Sequence, residues 1–296
     1  MNHPSISICI PGYNAERFIR TTVESCLQQR MAPCEILLSD DASTDGTWAI
    51  MESYGHFTGV RLCRPERHLG IGGHYQHLLS KTHGTHAVFL SCDDALHPDF
   101  VGAATSRLVR EPELGLLAFG GFFCNSAMLP ISRYGLSHPR QTMRPPKGFR
   151  YFSKCCSYLI SGAVWNVELL KRIPLLPKDA GLTTDWFWAL MQGAQSPVKI
   201  SRSPRFYYRM HHANASHASG VRWREHAERM LQFISEPGIL RACLAHEAVA
   251  MQASLQAAPV ADAAAEAKSL GVGWKGVIRR TLAELYPNHP QFLFPH

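Results

Sequence analysis

The chain has 296 residues, 46% of them hydrophobic, which is ample for a buried core and excludes a disordered composition. Its formal charge of +7 favours anionic partners without choosing among nucleotide phosphates, nucleic acid and lipid headgroups. Nine cysteines without a CxxC pair, two of them the neighbours Cys155 and Cys156, exclude a disulfide framework, and sixteen dispersed histidines with no HExxH spacing exclude a structural zinc site.

Residues 5–11 read as a first strand, stopped where Pro11 removes a donor and Gly12 loosens the backbone. Tyr13 and Asn14 follow at its end. Phe18, Ile19, Thr22, Val23, Cys26 and Leu27 then fit a helical stripe. Residues 35–39 form a second apolar strand that runs into Asp40 and Asp41. Ser43 or Thr44 is placed to cap a helix over residues 48–54. A short third strand at 60–63 leads into a basic, glycine-rich connection at 64–73. There Arg67 is placed to face a phosphate, and glycines such as Gly70 allow close backbone approach to a ligand. The spacing is neither GxGxxG nor GxxxxGK[ST]. A helix over 74–81 precedes a fourth strand at 87–90, which ends at Asp93 and Asp94.

Two adjacent carboxylates at the end of a buried strand repel and are costly to desolvate. A divalent cation carrying phosphate oxygens would compensate them. The alternative is a solvated turn in which Asp94 or a neighbour caps the next helix. Four strands alternating with helices imply an α/β, mostly parallel sheet with right-handed crossovers. In such sheets a ligand lies beyond the carboxyl ends of the strands, where Asn14, Asp40, Asp41, Arg67, Asp93 and Asp94 all fall.

A helix over 98–110 and a strand over 114–123 come next. Residues 124–150 show little periodicity and read as a long loop. Order returns over 151–165, and a short helix covers 167–173. Asp185 opens an aromatic helix and is either its cap or a base whose pKa is raised by apolar walls. Residues 198–201 and 205–210 read as two strands, the second ending at His211, a metal ligand, phosphate contact or surface residue. Helices are expected over 222–234, 239–257 and 262–285. The last carries Trp274, Lys275, Arg279 and Arg280 on a basic amphipathic face. It packs on the main domain or docks on an anionic membrane surface. No apolar run reaches the ~18 residues that cross a bilayer. The chain enters its first strand by Ser5, so a cytoplasmic protein without a signal peptide is expected, with peripheral membrane contact through that last helix as the alternative to its packing on the main domain.

The order of these motifs resembles the family 2 glycosyltransferases. Ile10-Pro11-Gly12-Tyr13-Asn14 resembles the family's opening strand and turn, and Ser39-Asp40-Asp41-Ala42-Ser43-Thr44-Asp45-Gly46-Thr47 its nucleotide-binding loop. His68-Leu69-Gly70-Ile71-Gly72 resembles an Asn-x-Gly element, with His68 in place of the usual Asn. Phe89-Leu90-Ser91-Cys92-Asp93-Asp94 resembles the metal-binding DxD region, with Ser91 where the family often has its first carboxylate. Thr184-Asp185-Trp186 is similar to a Glu-Asp-Trp segment that supplies a catalytic base. Tyr208-Arg209-Met210-His211, with Asn214 and Ser216, resembles a Tyr-Arg-x-His signature.

The resemblance implies a GT-A fold over residues 1–220, with an acceptor-side part at 124–220 and a helical extension at 221–296. It implies inverting transfer from a nucleotide-diphosphate sugar to a glycan or lipid-linked acceptor, in surface polysaccharide or lipid-linked oligosaccharide synthesis. Pro11, Tyr13, Asn14, Asp40, Asp41, Arg67, Gly70 and Asp93 would hold the donor. Asp94 and His211, with Asp93 as a further candidate, would hold Mn²⁺ or Mg²⁺, and Asp185 would be the base. The competing expectation is a catalytically weak or inactive nucleotide- or glycan-binding module on the same fold. A nucleotidyltransferase would carry a lysine-rich phosphate loop that Pro11 to Arg17 lacks, and no aromatic-basic motif supports a nucleic-acid partner.

Overall fold

Apolar runs bounded by turn residues build four parallel strands, β1 (Ile6–Gly12), β2 (Glu35–Asp40), β3 (Val60–Cys63) and β4 (His86–Phe89). The computed structural model describes residues 3–135, 141–145, 147–152, 158–211 and 220–235. Further strands are β5 (Ala95–Leu96), β6 (Leu116–Cys124), β7 (Pro130–Tyr134), β8 (Ala163–Asn166) and β9 (Val198–Arg209). They join one sheet in the order β3-β2-β1-β4-β8-β6-β9-β5, with β7 paired to β6. β8 runs antiparallel between β4 and β6, β6 and β9 are parallel, and β5 and β7 are antiparallel edges.

Helices cover both faces, which is why the first strands read as unbroken apolar runs. Alternation sends Ile8, Ile10, Ile36, Leu38, Val88 and Leu90 to one face. There they meet α1 (Ile19–Leu27), α2 (Thr47–Glu52) and α4 (Phe100–Arg110). Cys9, Leu37, Ala87 and Phe89 go to the other, against α3 (Gly70–Lys81) and α7 (Thr184–Gln195). Trp165, Trp186 and Trp188 fill that second core. Short α5 (Lys147–Phe152) packs beside α7, and α6 (Val167–Lys171) follows β8, capped by the Asn166 side chain.

Three expectations change. The two strands expected over 198–210 are one, because a bulge at Pro204 absorbs the irregularity: Ser201 pairs with Phe119, Pro204 with Gly120 and Phe206 with Gly121. The loop expected over 124–150 contains β7 and α5. The Asn125 carboxamide oxygen accepts the Ala127 and Leu129 amides and Met128 takes φ 64°, closing a hairpin that carries no Asn-Gly signal. The capping of α2 by Ser43 or Thr44 is also absent; Asp45 accepts the Thr47 amide instead.

The helix expected from 222 is α8 (Gly220–Ser235). Ala227 and Met230 are buried, Phe233 packs edge-on against Phe187, and Arg229 pairs with Asp179 at 3.0 Å. The helices expected over 239–257 and 262–285, together with Cys155, Cys156, Asn214 and Ser216, lie outside the described residues. Among the described residues no helix is long and apolar enough to cross a membrane.

Candidate active site

Asp40 and Asp41, alike in sequence, have different surroundings. Asp41 spends both carboxylate oxygens on the backbone, accepting the Leu69 amide at 2.8 Å and the Gly70 amide at 2.9 Å, and it also pairs with His68 at 3.0 Å. Burial raises its pKa, and those amides and the imidazole partly offset the rise. Asp41 and Gly70 thus anchor the start of α3 to the end of β2, so their polar groups are bound to each other and not left for a donor sugar. Gly70 takes φ +73°, a conformation that suits glycine.

Asp40 is fully buried. Its Oδ2 accepts the Ser43 amide at 3.1 Å and pairs with Arg64 at 3.0 Å, while Oδ1 has no hydrogen-bond partner among the described residues. An unpartnered buried carboxylate oxygen is costly and marks a place where a ligand donor fits. Arg64 also lies over the Trp48 ring at 5.2 Å. Arg64, not the exposed Arg67, is therefore the basic residue that reaches this loop. Asn14, at φ 49°, ties the first loop to the second: its side-chain oxygen accepts the Thr44 amide at 2.9 Å, and its own amide donates to Ser43 Oγ. Pro11 is partly buried in β1 opposite Ser39. Tyr13 is 46% exposed, its ring 4.4 Å from His68, and offers an aromatic surface beside the His68–Asp41 pair.

The second carboxylate pair is divided in the same way. Asp94 is fully buried, its Oδ1 accepting the Arg209 amide at 2.9 Å and its Oδ2 bonded to Ser161 Oγ at 2.5 Å. Burial and the neighbouring Asp93 charge push its pKa well up. The greater weight placed on Asp94 as a metal ligand does not fit this geometry, because both of its oxygens are engaged inside the core. Asp93 is the carboxylate that faces His211, with Oδ2 3.0 Å from Nε2. Arg209 Nε donates to the Asp93 carbonyl, and Thr22 Oγ1 donates to the Cys92 and Asp94 carbonyls, so α1 and β9 clamp this turn. The His211 ring packs on Phe18 at 4.3 Å.

Asp185 sits in the first turn of α7. The N-cap position belongs to Thr183, and the Asp185 carboxylate accepts the Trp186 amide at 2.8 Å. Burial pushes its pKa up to about 6. The buried Tyr75 ring of α3 packs between Phe89 at the end of β4, 5.6 Å away, and Trp188 of α7, 5.9 Å away, and so joins the strand that leads to Asp93 and Asp94 to the helix that opens with Asp185. Gly72 sets the approach of α7, since a Cβ there would lie 2.8 Å from Thr184 Oγ1 and 2.9 Å from Gly181 Cα. We expect Gly72→Ala to lower turnover about tenfold by displacing Asp185. Steady-state kinetics should show this in kcat, with donor KM little changed.

Sequence reasoning missed Arg64, Trp48, Tyr75 and Ser161. Arg64 stood three residues from the favoured Arg67, and the others looked like core or turn residues. Among the described residues no three His, Cys, Asp or Glu side chains converge as a metal cage.

Comparison with known proteins agrees with this arrangement. The chain is 36% identical over 99 residues to the chondroitin synthase of Escherichia coli, covering 33% of this chain and 14% of that protein. It is 29% identical over 220 residues to EpsH of Bacillus subtilis (strain 168), assigned as a glycosyltransferase, covering 71% of this chain and 62% of EpsH. The chain thus spans less than two thirds of either relative. A structure of S. aureus TarS residues 1–349 in complex with UDP-GlcNAc superposes with a TM-score of 0.60 at 16% identity, covering 95% of this chain and 81% of that one. The shared architecture is the expected GT-A fold. The profile of glycosyl transferase family 2 matches residues 7–164, more than half of the chain, and the chain belongs to that family.

Proposed function

We propose that the chain transfers a sugar, with inversion, from a nucleotide-diphosphate sugar to an acceptor hydroxyl in the assembly of a polysaccharide. The carrying observation is Asp185, buried at the start of α7 and raised to about 6, on a helix that Tyr75 joins to the end of β4, the strand that leads to Asp93 and Asp94. The relatives named as a chondroitin synthase and an assigned glycosyltransferase support the reaction class, and the TarS complex with UDP-GlcNAc supports the donor class.

Tyr13 offers a stacking surface for the base, and the free Oδ1 of Asp40 accepts a base or ribose donor. Asp93 and His211, with a carboxylate oxygen and an imidazole nitrogen 3.0 Å apart, would hold a divalent cation. The imidazole leans the choice toward Mn²⁺ over Mg²⁺. When bound, the ion supplies positive charge to the leaving diphosphate. Asp185 takes the acceptor proton as its oxygen attacks the anomeric carbon from the face opposite the leaving group. With the carboxylate ionised above about pH 6, the base is ready at neutral pH. Proton NMR of the first-formed product from a panel of nucleotide sugars tests this reading. The expected product has the anomeric configuration opposite to the donor's; retention would overturn it.

A further inference from the structure

The reaction centre leaves unused a row of side chains across β5, β9, β6 and β7. Strand pairing sets Phe122 of β6 directly opposite Tyr207 of β9 and Arg133 of β7. The Phe122 and Tyr207 rings stack at 5.7 Å and 17°, and Tyr207 and His97 stack at 6.3 Å and 25°. All three rings are partly exposed, whereas Phe206, Phe123 and Tyr134 point to the core.

Arg133 ends the row and is exposed, its guanidinium reaching, among the described residues, the Arg202 carbonyl at 3.5 Å. Arg205 donates to the Pro204 carbonyl, and its charge helps to push the His97 imidazole down after burial has done so. Neither arginine has a carboxylate partner among the described residues. Asp99, beside His97, is taken by Arg30 at 2.8 Å. Tyr207 lies two residues before Arg209, which holds Asp94 and the Asp93 carbonyl. At ~3.3 Å per residue Tyr207 stands about 7 Å along β9 from Arg209.

The charge of the chain is divided on the same lines. Residues 1–113, which hold the donor loops, carry nine Lys and Arg against thirteen Asp and Glu, a formal −4. Residues 114–211, which supply β6 to β9, carry thirteen against three, a formal +10, with no Asp or Glu at all over 114–167. A neutral acceptor gives no reason for this division. A chain of acidic sugars does, because the C–H face of a pyranose packs on aromatic rings while its anionic groups pair with guanidinium forks.

We propose that the row His97, Tyr207, Phe122 and Arg133, with Arg205, binds an acidic glycan, its sugar rings on Phe122 and Tyr207 and its anionic groups on Arg133 and Arg205. That this glycan is the acceptor rests on the transferase reading; the binding itself does not.

Calorimetric titration of the full chain, without donor or metal, tests the site. The probes are oligogalacturonate (one carboxylate per ring), neutral maltooligosaccharide and inorganic polyphosphate. Oligogalacturonate should bind at least about tenfold more tightly than maltooligosaccharide. Arg133→Gln with Arg205→Gln should weaken it about tenfold. Phe122→Leu with Tyr207→Leu should weaken it while leaving polyphosphate binding unchanged, which also shows that this variant is folded. The proposal is overturned by no binding of oligogalacturonate, by equal binding of the neutral oligomer, or by loss of polyphosphate binding in the ring variant to the same degree. Binding of phosphatidylglycerol vesicles through the two arginines, with no oligogalacturonate binding, would overturn it in favour of a lipid surface. UDP binding on the same preparation reports separately on the transferase reading, and its failure leaves the glycan result standing.

Discussion

Asp185→Asn is expected to lower transfer by roughly 10²- to 10⁴-fold, the range general-base catalysis contributes, while nucleotide affinity stays unchanged. The carboxylate sits at the start of a buried aromatic helix and accepts the Trp186 amide, not a group of the loops that carry Asp40 and Tyr13, so the variant removes a proton acceptor and not a donor contact. The wild-type rate should rise with pH through about 6, where Asp185 loses its proton, and the Asn variant should lack that limb. The stability sign is opposite. A carboxyl raised in the folded state favours folding while protonated, and that contribution is lost as pH climbs from the unfolded value through about 6. Asp185→Asn should therefore melt higher than wild type at neutral pH, with the difference closing near pH 4. A variant that is inactive and less stable would point to a structural Asp185 instead.

Asp93→Ala and Asp94→Ala should fail in different ways. Asp93 is partly exposed and, among the described residues, its side chain pairs with His211, so its loss should leave the fold intact and remove one of the two groups proposed to hold the cation. A loss of ~10²- to 10³-fold in turnover is expected, as for other preorganised electrostatic contacts. Asp94 is buried, and its removal leaves the Arg209 amide and Ser161 hydroxyl without their acceptor. That costs about 1–3 kcal/mol and shows as a lower melting temperature before any kinetic effect. Circular dichroism melts beside turnover measurements separate the two residues.

The alternation of apolar strands with polar ends was legible because β1, β2 and β4 are covered on both faces, so their central residues are mostly apolar. What each end residue does was not legible. Asp40 and Asp41 differ only in which backbone returns to them, and the Leu69 and Gly70 amides that engage Asp41 come from 28 and 29 residues away. Asp94 is engaged by Arg209 from 115 residues away. Local pattern holds no record of such partners. Arg64 lost to Arg67 for the same reason: both are basic and close to glycines, and only the β2–β3 register, which sets Cys63 opposite Ser39, brings Arg64 to Asp40. Asp185 was a fair candidate for a helix cap, and a shift of two residues in where α7 begins removed it from that position.

The site's central claim is that Asp93 and His211 share a divalent cation with a nucleoside diphosphate held at the ends of β1, β2 and β4. Melting temperatures of wild type and Asp93→Ala with UDP, TDP and GDP, each with and without Mn²⁺, test it most directly. One nucleotide should raise the wild-type value, and Mn²⁺ should raise it further. In Asp93→Ala the nucleotide increment should survive while the Mn²⁺ increment disappears. No rise with any of the three nucleotides, or a Mn²⁺ increment that persists in Asp93→Ala, would contradict the assignment.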